Sequence, residues 1–120
     1  DERNIAIVNK DGLIKAQKVP TGFMKISRTV FEKLKQANPT DWYWDNERKL
    51  YNFFGHITRD HVRYGEDISF GMRWQDIGGE IWLEPRVNMG HFGTKGWFGN
   101  YDHYLKTQPG GSLDPARKAA

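Results

Sequence analysis

The stretch YGEDISFGMRWQDIGGEIWLEPRVNMGHFG (residues 64–93) carries an adjacent carboxylate pair, Glu66-Asp67, and a histidine, His91, between Gly90 and Gly93. A carboxylate that follows a glycine at the start of a helix has two uses. It satisfies free backbone N–H groups and the positive end of the helix, contributing about 0.5–1 kcal/mol. It also takes a proton from a hydroxyl nucleophile when its side chain opens on a cleft. His91 likewise has two readings: a surface or hydrogen-bonded structural ring, or a contact to a metal ion or phosphate, helped by glycines that let the backbone approach a ligand. His56, His61 and His103 have no ligand-like spacing.

The elements that must position these groups are legible in outline. Ile5-Ala6-Ile7-Val8 followed by Asp11-Gly12 predicts a β-hairpin over residues 4–19. Pro20-Thr21-Gly22 breaks it, and Phe23–Ile26 reads as a strand. Ser27 stands as the N-cap of a helix over 28–37, with Val30, Phe31 and Leu34 on one face and Asn38-Pro39 as its stop. TDWYWDNER (40–48) reads as a polar and aromatic loop, and residues 50–57 as a strand leading through a charged loop to Gly65. Phe70, Trp74 and Ile77 then share a face of a helix over 66–77, stopped by Gly78-Gly79. Short strands are expected at 81–83 and 87–89, and residues 108–120 read as a mobile tail. The expected core is Ile7, Phe23, Ile26, Phe31, Leu34, Phe54, Phe70, Trp74, Ile81 and Leu83. The fold class is mixed α/β, a single domain over 1–107 with one small mixed sheet covered by the two main helices.

Composition narrows the function classes. The 120 residues include 18 Lys and Arg against 15 Asp and Glu, a net charge of +3, with the basic residues scattered. No nucleic-acid footprint is expected from that distribution. No apolar run approaches the ~18 residues of a membrane span, and DERNIAIVNK lacks a signal peptide's apolar core. With no cysteine there is no disulfide framework or thiolate metal site, which suits the cytoplasm. Five Trp among 120 residues are enough to serve either a core or a recognition surface.

Four segments, PTGFMKISRTVFEKL (20–34), GEDISFGMRW (65–74), GGEIWLEPRV (78–87) and GHFG (90–93), lie in an order and spacing that resembles the C-terminal half of GT-A-type nucleotide-sugar glycosyltransferases of a bacterial and phage group. The resemblance runs from Pro20 to Gly93 and implies the acceptor-side half of that fold. It implies that Asp67, with Glu66 as second candidate, is the base that deprotonates an acceptor hydroxyl. His91 would help hold a divalent cation, Mn or Mg, on the donor diphosphate. Thr21, Gly22 and Phe23 would border the donor sugar, and Trp97, Trp42 or Trp44 would stack on a sugar face by their aromatic chemistry. The implied partners are a nucleotide-sugar donor and a sugar or glycan acceptor, in the host cytoplasm for a phage-encoded chain. The pattern departs from the family in having no Asp-x-Asp and no N-terminal nucleotide-binding half. The chain is then expected to be the C-terminal portion of a longer enzyme, the start at Asp1 favouring this, or to pair with a separate first half, or to be a remnant whose catalysis is lost; for the isolated chain the alternative to Mn or Mg is no cation at all. A second reading makes it a non-catalytic carbohydrate- or protein-binding module, for example a phage virion component. A third leaves a structural domain with a capped helix.

Overall fold

Val30, Phe31 and Leu34 do share a helical face. In the computed structural model, which describes residues 6–107, α1 spans Arg28–Ala37 and buries Leu34. Ser27 occupies the N-cap position, but its backbone carbonyl rather than its hydroxyl meets the first turn, accepting the Val30 N–H at 3.1 Å. The Asn38 N–H closes the other end on the Leu34 carbonyl, and Pro39 follows. Helix α2 spans Glu66–Asp76 with Gly65 as N-cap. Gly78 ends it at φ 84°, a left-handed conformation that glycine adopts without the steric cost a side chain brings. A short helix α3, Tyr101–Thr107, was not anticipated; Asn100 caps it, its Oδ1 accepting the His103 N–H at 2.7 Å.

The chain is mixed α/β, with three α-helices and eight strands among the described residues. The strands are β1 (Ile14–Ala16), β2 (Trp42–Asp45), β3 (Arg48–Tyr51), β4 (Ile57–Arg59), β5 (Val62–Tyr64), β6 (Ile81–Leu83), β7 (Met89–Phe92) and β8 (Gly96–Gly99). They are not gathered into the one small sheet expected. They pair two by two, β1 with β6, β2 with β3, β4 with β5 and β7 with β8. The last three pairs are antiparallel hairpins. The anticipated strand at 23–26 is replaced by a 3-10 turn at Thr21–Phe23, and the loop at 40–48 by the β2–β3 hairpin. The single strand expected at 50–57 is interrupted at residues 52–56, where the Phe53 N–H turns back to the Tyr51 carbonyl.

Two compact units emerge, Lys15–Trp82 and a second made of Asp1–Ile14 with Leu83–Ala120. The tail expected at 108–120, and Ile5 of the first apolar run, lie outside the described residues.

In the Lys15–Trp82 unit the core forms where α1 meets α2. Leu34 and Phe70 are buried there. The Phe31 ring lies 5.0 Å from Phe53 edge-on and 5.8 Å from Phe70, while Phe54 stacks on Phe70 at 4.8 Å. Such aromatic pairs add about 0.5–1.5 kcal/mol each to the area they bury. Gly71 belongs to this core too, since a β-carbon there would stand 3.1 Å from the Ile81 side chain. Phe23 of the expected core is instead 76% exposed, because the 3-10 turn carries it outward, and Phe54 is exposed at its outer edge.

Ser69 has no exposed surface, and its hydroxyl joins α2 to the open end of the β4–β5 hairpin. It accepts the Ile57 N–H at 2.9 Å and donates to the Tyr64 carbonyl at 3.1 Å, the two residues that face each other in the ladder. The same carbonyl accepts from His56 Nδ1 at 2.9 Å, which fixes the proton on that nitrogen. At the hairpin's closed end, Asp60 and His61 both have positive φ, 53° and 63°, the backbone of a type I′ turn built without glycine. Arg59 of this hairpin holds Asp76 at the end of α2 through two hydrogen bonds of 2.7 and 3.3 Å.

In the other unit, Asn9 organises the first hairpin tip. Its Oδ1 accepts the N–H groups of Asp11 and Leu13, and Val8 bridges Ile14 across the turn. The anticipated hairpin is therefore present in a shortened form. Ile7, expected in the core, is 60% exposed just outside that bridge. Ile14 and Pro85 are buried, and the Pro85 carbonyl accepts the Asp102 N–H of α3 at 2.8 Å.

Candidate functional site

Glu66 and Asp67 occupy the first turn of α2, as the sequence implies. Glu66 is exposed, and Asp67 is half-buried with both carboxylate oxygens engaged. Oδ1 accepts the Ile68 N–H at 2.7 Å, so the helix-capping role is realised. Oδ2 accepts the Thr21 N–H at 3.3 Å, across 46 positions of sequence. That bond brings the Thr21–Phe23 turn to the start of α2. Two N–H donors fix the orientation of the carboxylate and leave it lone pairs for a further donor, such as a hydroxyl. Gly22 beside it has open space where a side chain would stand, and the Phe23 ring lies in solvent. Of the expected donor-side and base residues, Thr21, Gly22, Phe23, Glu66 and Asp67 therefore gather in one place.

Trp42 and Trp44 lie on one face of the β2–β3 hairpin, since alternate residues of a strand point the same way. Their cross-strand partners on that face are Tyr51 and Lys49. The two indoles meet edge to face at 5.6 Å, and the Lys49 ammonium sits 4.3 Å from the Trp42 ring and 5.6 Å from Tyr51. Lys35 of α1 reaches the Tyr51 ring at 5.0 Å. Cation–π contact of this kind contributes about 0.5–1 kcal/mol at exposed sites and holds the ammonium over the rings. Trp44 nevertheless remains 62% exposed. The result is an aromatic surface crossed by lysines, on a hairpin the sequence did not suggest.

His91 and Trp97 belong to the other unit and face each other across the β7–β8 ladder, with Lys95 3.8 Å from the Trp97 ring centre. The glycines flanking His91 have a structural explanation. On the opposite face Phe92 and Phe98 cross at 5.2 Å, and a β-carbon at Gly90 would stand 3.0 Å from the Phe98 ring. Gly96 is as close to both rings, 3.1 Å from Phe98 and 3.2 Å from Phe92. Gly90 and Gly96 thus let two phenyl rings lie against bare backbone. The imidazole of His91 is exposed on the other face.

Among the described residues no group of three or more His, Cys, Asp or Glu side chains is gathered to hold a metal ion. One imidazole is one ligand, and a divalent cation on a diphosphate needs several oxygen donors besides. The His91 surroundings do not fit that ion unaided. No helix among the described residues is long and apolar enough to cross a membrane.

Glu84 and Arg86 form an ion pair in the unit that carries His91. Arg86 donates through its side chain at 2.5 and 2.6 Å and through its backbone N–H at 3.0 Å. These bonds lower the Glu84 carboxyl to about 2 and raise the Arg86 guanidinium. The pair stabilises the turn between β6 and β7, where Arg86 also donates to the Asp11 carbonyl at 3.1 Å.

No protein-family model, curated protein or solved structure matches this chain.

Proposed function

We propose that this chain supplies the acceptor side of a nucleotide-sugar glycosyltransferase, with Asp67 as the general base that takes the proton from an acceptor hydroxyl. The observation that carries this reading is the hydrogen bond from the Thr21 N–H to Asp67 Oδ2. Two of the segments on which the resemblance rests meet through it, and they meet at the carboxylate the chemistry needs. Asp67 is held at a fixed orientation by two N–H groups, and Gly22 leaves room next to it for a sugar ring. In an attack on the anomeric carbon the hydroxyl proton passes to the Asp67 carboxylate as the new C–O bond forms, and the nucleoside diphosphate leaves with the bonding pair. The nucleotide itself, and the divalent cation the resemblance implies for its diphosphate, fall to a nucleotide-binding half outside these residues.

The test is sugar transfer or donor hydrolysis from a panel of nucleotide sugars, measured on the gene product at its full length. Asp67→Asn keeps the shape of the side chain and removes the base, so turnover is expected to fall by about 100-fold or more. Unchanged turnover in Asp67→Asn overturns the assignment.

A second reading, a non-catalytic glycan-binding module, is favoured by the exposed Trp42–Trp44 face with Lys49 held over it. Glycan binding by the 120 residues alone, without nucleotide or metal, and its loss in Trp44→Ala, would favour this reading over the first.

A further inference from the structure

A depression in the unit that carries His91 has no part in the base chemistry. It has a volume of about 420 Å³ and opens between the β7–β8 hairpin and the start of α3. Ligand sites typically run from about 300 to 1,000 Å³, so the space is that of a small ligand. Its lining falls into three chemical classes. Phe98 gives an apolar wall, Gly90 and Gly99 give bare backbone beside Met89, and Asn88, Asn100 and His103 give polar groups.

The lining holds no carboxylate, ammonium or guanidinium group. A phosphate, a nucleotide or an acidic peptide would find no counter-charge in this wall. A ligand with a flat apolar face and several hydroxyl groups meets everything on offer. We propose that this depression is a subsite for one neutral sugar ring of a glycan.

The phenyl ring of Phe98 is 76% exposed, a large apolar surface left in water at a point where the backbone has been cleared for it by Gly90. A pyranose presents an apolar C–H face of comparable size, and stacking covers both. The polar rim is already oriented. Asn100 Nδ2 donates to Asn88 Oδ1 at 2.8 Å, and Asn100 Oδ1 accepts the His103 N–H at 2.7 Å. Asn100 is thereby spent on holding the rim. The Asn88 amide keeps both of its N–H donors free among the described residues, and the His103 ring keeps one donor and one acceptor. Donors and an acceptor at the edge of an aromatic wall match the vicinal hydroxyls of a neutral hexose or N-acetylhexosamine.

The subsite does not depend on Asp67 acting as a base. Binding is read with neither donor nor metal present, so loss of transfer and loss of binding are separate outcomes. The experiment titrates the full chain with neutral hexoses, N-acetylhexosamines and their short oligomers, and with hexuronic acids in parallel, following backbone amides and the His103 ring by NMR. A neutral saccharide is expected to shift the amides of Asn88, Gly90 and residues 98–100. Phe98→Ala and Asn88→Asp are each expected to weaken that binding about tenfold, the scale of one lost stacking contact or pair of hydrogen bonds. Asn88→Asp retains the oxygen that accepts from Asn100, so the rim keeps its anchor and only the free donors are lost. The proposal is overturned if no neutral saccharide shifts these amides, if hexuronic acids bind more tightly than their neutral counterparts, or if both variants bind as the parent chain does.

Discussion

Replacing Ser69 with alanine deletes one oxygen and leaves two backbone groups without the partner that α2 gives them. Tyr64 loses one of two donors to its carbonyl and keeps His56. Ile57 loses its acceptor at the end of the hairpin, next to a side chain with no exposed surface. A neutral hydrogen bond contributes about 0.5–1.5 kcal/mol net, and a buried donor left unpaired costs about 1–3 kcal/mol. The orphaned Ile57 N–H dominates, and the sum for Ser69→Ala is a loss of roughly 2–3 kcal/mol. For a domain of this size that lowers Tm by roughly 8–20 °C. Thermal and urea unfolding followed by tryptophan fluorescence measure the stability, and amide exchange at Ile57 reports the bond itself. Ser69→Ala with less than about 0.5 kcal/mol of lost stability and an equally protected Ile57 amide would refute the reasoning, since that is the range of a surface change without a specific role. The outcome also bears on the proposed site, because Ser69 stands within one turn of Asp67 on the same helix.

His61→Gly places glycine at a left-handed position of the type I′ turn. It is expected to relieve about 1–2 kcal/mol of steric cost against about 0.5–1 kcal/mol of added chain entropy, raising stability by roughly 0.5–1 kcal/mol in a denaturant titration. Gly78→Ala makes the opposite change at φ 84°, and chemical denaturation should show a loss of about 1 kcal/mol. Glu84, lowered to about 2 by Arg86, holds its proton more weakly folded than unfolded. The stability it contributes is therefore complete above the ordinary carboxylate range and disappears as pH falls through about 2. In Arg86→Ala the Glu84 carboxyl signal should titrate back in the ordinary carboxylate range, as NMR would show.

Both long helices were legible because their apolar residues recur at helical spacing and their ends carry Ser27, Pro39, Gly65 and Gly78. The hairpins were not. In Trp42-Tyr43-Trp44 every position is aromatic, so no alternation marks the strand, and the Asn46-Glu47 turn lacks the glycine that announces such turns. Asp60-His61 hides its turn in the same way. The place of Glu66-Asp67 followed from a glycine, two acids and an apolar row. The Thr21 N–H that completes the site lies 46 residues away, and no local pattern encodes that pairing. Ser69 reads in the sequence as an ordinary polar position of a helix, because what it serves is the end of a hairpin folded elsewhere.

Every strand among the described residues has only one neighbour. A ribbon of two strands is marginal in water by its own ladder, so each must borrow its rigidity from a side chain that reaches it. Ser69 lends it to one, the lysine-crossed indoles to another, and the phenyl rings over Gly90 and Gly96 to a third. The described residues hold no central sheet whose collapse would take everything with it. The hairpins should loosen singly, each at the strength of its own clasp, and the recognition surfaces they bear should be adjustable one at a time.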